Sequence, residues 1–85
     1  MLTIKVLGPG CDNCKRLAWL AERATTHLGV EAQIIKVTDY AEIMKYPLLS
    51  TPGLVINEKL VASGRLPSEA EITTFLANAE MENAG

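Results

Sequence analysis

Basic charge is not in excess in this 85-residue chain: 8 Lys and Arg face 10 Asp and Glu, for a formal net charge of −2 and a pI near 5.3. A nucleic-acid binder usually needs a basic surface, so that class is set aside. No apolar run reaches the ~20 residues of a membrane span. The longest uncharged stretch, Tyr46 to Asn57, is 12 residues long and holds two prolines. Nor does the N-terminus read as a secretory leader. Lys5 interrupts Leu2–Leu7, and no apolar core precedes a small-residue cleavage site. The expectation is a cytoplasmic protein that does not enter a membrane. Cysteine is scarce too: Cys11 and Cys14 are the only two, too close together to staple distant parts of a secreted scaffold. Their role is chemical rather than architectural. Repeats, linkers and low-complexity segments are absent, and the length leaves no room for a second core, a dinucleotide-binding fold or a large cleft.

What is present is the composition of an ordinary globule, 48% hydrophobic and 21% charged. A disordered chain would carry less apolar mass and more net charge. A chain this short buries only ~60–65% of its unfolded surface, so stability is expected to be modest. Residues 1–80 read as one domain and 81–85 as a frayed tail.

Leu2–Leu7 is a strand by period and β-branched content, and Gly8-Pro9-Gly10 breaks it. A helix begins at the cysteines, with Cys14, Leu17, Ala18, Ala21, Ala24 and Leu28 on one face and Gly29 as its C-cap. Ala32–Val37 reads as a second strand. Thr38 or Asp39 then caps a short helix, Asp39 and Glu42 fitting a capping box, with Tyr40, Ile43 and Met44 as its apolar side. Tyr46–Pro52 is a loop. Leu54–Ile56 and Leu60–Ala62 are short strands joined through Asn57-Glu58-Lys59 as a hairpin. Ser68 and Glu71 form a capping box for a last helix that buries Ile72, Phe75, Leu76 and Ala79. The fold class is α/β, in the order β-α-β-α-β-β-α. Its four-stranded mixed sheet has a parallel first pair and an antiparallel edge, flanked by three helices.

Cys-x-x-Cys opening a helix directly after a strand is the main chemical signal. Cys11 falls at or near the N-cap, where free N–H groups and the helix dipole stabilise a thiolate. Cys14 lies about one turn on, so its sulfur can approach that of Cys11. Cys11 can attack a substrate disulfide and Cys14 can resolve the mixed disulfide. Gly8 and Gly10 carry no side chain to obstruct a partner approaching Cys11. Thr51-Pro52-Gly53, an ordinary turn by itself, stands just before the hairpin.

Taken together, Gly8-Pro9-Gly10-Cys11-Asp12-Asn13-Cys14, Thr51-Pro52-Gly53-Leu54-Val55-Ile56 and Val61-Ala62-Ser63-Gly64-Arg65 make the chain resemble the small thioredoxin-fold, glutaredoxin-like redox-active disulfide proteins of bacteria and archaea. The resemblance runs from Met1 to about Ala79. It implies a minimal thioredoxin fold and a thiol-disulfide oxidoreductase with Cys11 and Cys14 as the catalytic pair. It implies a cis Thr51–Pro52 bond beside the cysteines, with the Thr51 backbone pairing strand-fashion with the partner. Gly10, Thr51, Pro52 and Gly64 are the candidate partner-binding residues. The implied partners are a protein disulfide substrate and an upstream disulfide reductase. No cofactor is needed beyond the Cys11–Cys14 disulfide itself, no metal site is expected, and a monomer suffices.

Three features depart from that pattern. The cysteine loop is not Cys-Gly-Pro-Cys, so a redox potential does not carry over. Lys5, six residues before Cys11, stands where thioredoxins place a buried acid. Ser63-Gly64-Arg65 lacks the Gly-Gly-x-Asp pattern with which glutaredoxins grip glutathione, which puts a dedicated glutathione site in doubt. Asp12 opposes a Cys11 thiolate while Lys15 and Arg16 favour it. With the helix terminus added, Cys11 is expected below the free-thiol value of ~8.5, in a reductant roughly as negative as ~−270 mV.

A second class of function fits the same cysteines: a thiol-based metal or metalloid carrier, or a module that senses redox state. Zinc normally takes four ligands, and His27 lies about four helical turns from Cys11. Soft Cu(I) on two thiolates is the stronger form of that alternative. Trp19 sits nearly opposite the apolar stripe of its helix, either half-buried under a loop or exposed as a partner contact. His27 reads as a surface residue near a helix C-terminus, Tyr40 and Tyr46 as packing residues, and Met44 and Phe75 as core.

Overall fold

The computed structural model describes residues 1–84, with side chains through Glu82. Strand β1 (Leu2–Leu7) leads into helix α1 (Asp12–Leu28), then β2 (Ala32–Val37), the single-turn α2 (Tyr40–Ile43), β3 (Gly53–Ile56), β4 (Lys59–Ser63) and α3 (Glu69–Ala84). The sheet order is β2-β1-β3-β4, with β1 parallel to β2 and every other pairing antiparallel. This is the expected four-stranded mixed sheet with three helices.

Alternation along β1 separates two faces. Leu2, Ile4 and Val6 join Leu54 and Ile56 beneath α1 and α3, where Leu17, Ala18, Ala21, Ile72, Leu76 and Ala79 complete the main core. Leu7 and Val55 point the other way, against Ile43, with Tyr46 and Leu48 packed alongside. Met44 is not core but 66% exposed, because α2 is one turn long and offers only Ile43 to the sheet. Tyr40 is exposed as well. Phe75 is partly buried at the rim of the main core.

The helix ends follow their residues. Gly29 takes a left-handed φ of 75°, and its N–H and that of Val30 both reach the Thr25 carbonyl. Thr25 rather than Leu28 fills the last buried place on α1, and its hydroxyl donates back to the Glu22 carbonyl at 2.8 Å. At Asp39 only half of the capping box forms. Its carboxylate accepts from Ala41 N–H at 3.0 Å, while Glu42 turns outward to Lys45. The box at α3 is complete: Glu71 N–H donates to Ser68 Oγ at 3.1 Å and Ser68 N–H to Glu71 Oε1 at 3.3 Å. No Gly or Pro interrupts α3 before its end, and it continues to Ala84 instead of stopping at residue 80; Gly85 lies outside the described residues.

The hairpin turn is tighter than its sequence suggests. Asn57 and Glu58 alone connect β3 to β4, both with positive φ (50° and 68°), the backbone of a type I′ turn. Asn tolerates that region, while Glu usually avoids it. Glu58 is held there by Lys5, whose ammonium lies 2.6 Å from Glu58 Oε1 and 2.9 Å from Tyr46 Oη. Among the described residues no helix is long and apolar enough to cross a membrane.

Candidate functional site: a dithiol pair at the start of the first helix

Cys11 is the N-cap of α1, with extended backbone (φ −67°, ψ 167°). Its sulfur accepts the Cys14 N–H at 3.2 Å and its carbonyl accepts the Lys15 N–H at 3.0 Å. The cap position is normally filled by Ser, Thr, Asp or Asn, whose oxygen satisfies an orphan N–H; here sulfur does so. The same N–H and the positive end of the helix dipole favour negative charge on Cys11 when the pair is reduced. Cys11 and Cys14 are joined by a disulfide with Cα atoms 5.0 Å apart.

The two sulfurs differ in access. Cys11 is exposed, whereas Cys14 is 5% exposed and belongs to the buried face of α1. Gly8 explains the depth of Cys14. A Cβ on Gly8 would run into Cys14 Sγ and would sit 3.8 Å from Thr51 Cβ. The missing side chain at Gly8 therefore makes room for the inner sulfur, not for an approaching partner. Gly10 does face outward: its φ is +95° and nothing lies within 4 Å of where a Cβ would stand.

Thr51 and Pro52 come to the same end of the sheet through a cis peptide bond. Pro52 is buried and Thr51 partly so. Gly64 N–H donates to the Pro52 carbonyl at 2.9 Å, tying this loop to the end of β4. Gly64 has φ +72°, and a side chain there would strike the Ser50 hydroxyl. Ser63 Oγ accepts the Leu49 N–H at 3.0 Å, a second tie across the same gap. The structure thus brings both Cys14 and Thr51 beside Gly8, and ties Gly64 to Pro52.

The cis Thr51–Pro52 bond is the one the resemblance implies, and sequence comparison decides the family. The thioredoxin domain family model matches residues 2–77. The chain belongs to the thioredoxin family. A thioredoxin from Methanocaldococcus jannaschii is 36% identical over 72 residues, which cover 85% of this chain and 83% of that protein. One from Methanothermobacter thermautotrophicus is 34% identical over 77 residues, covering 91% and 100%. Among solved structures, thioredoxin-2, described as a component of the malaria parasite protein secretion machinery, superposes with a TM-score of 0.69. It does so at 13% identity over 92% of this chain and 82% of that one. The germline-specific thioredoxin Deadhead of Drosophila melanogaster gives 0.63 at 19% identity over 91% and 79%. Those two show the thioredoxin fold. With its relatives and its Cys11–Cys14 disulfide, this thioredoxin-family chain is a thiol-disulfide oxidoreductase.

Lys5 is paired with Glu58 and Tyr46 rather than with either cysteine. It lies on the α2 side of the sheet, and hydrogen bonds first to Glu58 and then to Tyr46 hold its ammonium well above the usual lysine value. The same bond to Lys5 lowers Glu58. Trp19 is 54% exposed with the Arg23 guanidinium 5.0 Å over its ring, so no loop covers it. His27 pairs with Glu69 on α3 at 2.8 Å, beside the Arg23–Glu69 contact at 2.7 Å, a clasp between the two helices. Among the described residues no three His, Cys, Asp or Glu side chains gather as a metal site. Sequence reasoning missed Leu49, which is 95% exposed on the loop before Thr51 while its backbone is pinned by Ser63. Its signal was weak: one leucine in a Pro-containing loop.

Proposed function

We propose that this thioredoxin-family protein reduces disulfides of partner proteins, with Cys11 as the attacking thiolate and Cys14 as the resolving thiol, and that a separate disulfide reductase recharges it. The observation that supports this order is the inequality of the two sulfurs, one exposed at the helix cap and one buried behind Gly8. Cys11 forms a mixed disulfide with one partner sulfur and releases the other as a thiolate. Cys14 then displaces the partner from Cys11, and the pair ends as the internal disulfide with two electrons transferred.

Thr51 and Pro52 line the partner groove in this reading. The Thr51 backbone pairs with an extended segment of the target, Gly10 leaves the approach to Cys11 open, and Gly64 forms the far wall. Leu49 adds an apolar contact at the rim. Both sulfurs come from one chain, so a monomer suffices, and the electrons are carried by the dithiol without a cofactor. A reducing compartment such as the cytoplasm keeps such a pair in use.

The test is insulin-disulfide reduction driven by dithiothreitol. The native chain accelerates turnover and Cys11→Ser abolishes it. Equal rates for the native chain, Cys11→Ser and Cys14→Ser contradict the reading. About one Cu(I) or Zn(II) bound per reduced chain, without reductase activity, then replaces it with the carrier.

A further inference from the structure

Lys5 is out of keeping with its place in the sheet. Its neighbours across the ladder are Ile35 on β2 and Val55 on β3, and Leu7 and Val55 on this face are fully buried. An apolar side chain would continue that face, and exchanging an ion pair for packed apolar groups is often neutral or stabilising. The lysine instead sends its ammonium to oxygens from two separate segments. Glu58 Oε1, in the turn between β3 and β4, lies 2.6 Å away and Tyr46 Oη 2.9 Å away. Tyr46 Oη is also 3.2 Å from each Glu58 carboxylate oxygen, and the ammonium stands 5.7 Å from the centre of the tyrosine ring. The three side chains close a triangle.

Tyr46 begins the stretch that ends at Pro52, and contacts run from it towards the cysteines. Leu48 N–H donates to the Tyr46 carbonyl at 2.7 Å. The Leu48 side chain occupies the space that a Cβ on Gly53 would need. Leu49 N–H donates to Ser63 Oγ, and the Pro52 carbonyl accepts the Gly64 N–H. Residues 46–52 are thus tied to β4 and its exit at one end, and to Lys5 and Glu58 at the other.

We infer that Lys5, Tyr46 and Glu58 form a latch that positions Thr51 and Pro52 for protein disulfides. They are positioning residues and touch no substrate. The inference deepens the dithiol-exchange reading given above and rests on it.

An extended partner segment has to meet the Thr51 backbone in one register while its disulfide lies on Cys11. Apolar packing alone does not set such a register, because it is non-directional. The face behind this stretch offers little of it: among the described residues, the buried cluster there is Leu7, Ile43 and Val55. Hydrogen bonds are directional, and those from Lys5 and to Glu58 fix where the Tyr46 ring stands. The ion pair adds little to overall stability, since the Glu58 side chain is 66% exposed. Its effect is on which geometry the loop keeps. A small disulfide makes no such demand, because it needs only the exposed Cys11 and the resolving Cys14.

The experiment compares the native chain with Tyr46→Phe and Lys5→Met, which remove the polar contacts and keep the ring or most of the stem. Insulin reduction is read as KM and kcat. Oxidation of the reduced protein by hydroxyethyl disulfide is followed by acid quench and mass spectrometry, and backbone amide exchange is followed by NMR. Each variant should raise the KM for insulin about fivefold, with kcat and the rate with hydroxyethyl disulfide within about twofold of the native chain. The amides of Leu49 and Gly64 should exchange about tenfold faster, while that of Ala21 in the main core keeps its native rate. Native loop exchange in both variants overturns the inference. So does a loosened loop with an unchanged KM for insulin, because the latch would then position nothing. Faster exchange at Leu49, Gly64 and Ala21 alike, with both disulfides slowed equally, also overturns it and makes the triangle a matter of general stability. A native chain that reduces neither disulfide removes the function proposed above, while the exchange rates still decide whether the latch holds the loop.

Discussion

The two faces of the sheet are built very differently. Among the described residues, one carries α1 and α3 over a core of thirteen buried residues, including Leu2, Ile4, Leu17, Leu54, Ile72 and Leu76. The other is closed by a single turn of helix and a loop over three buried residues, Leu7, Ile43 and Val55, and contains an ion pair, Lys5 with Glu58, beside Tyr46. The thick face supplies the stability that holds β1 and α1 in place. The thin face supplies the loop that brings Thr51 and Pro52 to the cysteines and leaves Leu49 in solvent. The redox pair sits where the end of β1 meets the start of α1, rigid behind and open in front.

Core truncations give the largest test of that difference. Leu76→Ala on the thick face should cost about 3–4 kcal/mol by urea unfolding, and Ile43→Ala on the thin face about 2 kcal/mol, because its surroundings can collapse into the gap. Equal costs would mean the thin face is as tightly packed as the thick one. Gly8→Ala comes next. It should cost about 1–3 kcal/mol by overpacking Cys14, with a loss of insulin reduction greater than the stability change accounts for. Native stability together with full activity in that variant would show that Cys14 has room to move.

A pH series separates the clasp between α1 and α3 from the packing beneath it. Glu69 is lowered from its ordinary 4.5, first by its bond to Arg23 and then by His27. A depressed carboxylate contributes stability that is present above 4.5 and is lost as pH falls through its folded value. The melting temperature should therefore drop on acidification below about pH 4.5, and Glu69→Gln should lower it at neutral pH by about as much as it flattens that drop. An unchanged acid profile in Glu69→Gln would mean the clasp adds nothing to packing. The smallest effect belongs to Leu49. Leu49→Glu should leave the melting temperature unchanged and raise the KM for a protein disulfide about fivefold, with kcat unchanged. A change in stability instead would place Leu49 in the fold rather than in the partner surface.

Much of this architecture was legible in the chain. Apolar periodicity marked every element, Gly29 ended α1, Ser68 and Glu71 began α3, and Cys-x-x-Cys after a strand marked the site. The misreadings have local causes. Met44 looked apolar-side because a helical period was extended past a helix of one turn, and Tyr40, the first residue of that turn, is exposed because only Ile43 reaches the sheet. The turn at Asn57-Glu58 looked three residues long because Glu at positive φ is rare. It forms here with Lys5, fifty-three positions away in sequence, holding the side chain. Gly8 looked like an open approach because sequence shows that a side chain is missing but not which neighbour occupies its place. The ties from Gly64 to Pro52 and from Ser63 to Leu49 likewise join segments that pattern reasoning treats separately.

The central claim is that the two cysteines are unequal, and trapping tests it most directly. Each single Cys→Ser variant is reduced, mixed with a protein disulfide, quenched with acid and weighed by mass spectrometry. Cys14→Ser should accumulate a covalent adduct through Cys11, while Cys11→Ser, left with the buried Cys14, should form almost none. Adducts of equal yield in the two variants, or an adduct through Cys14 alone, would contradict the account.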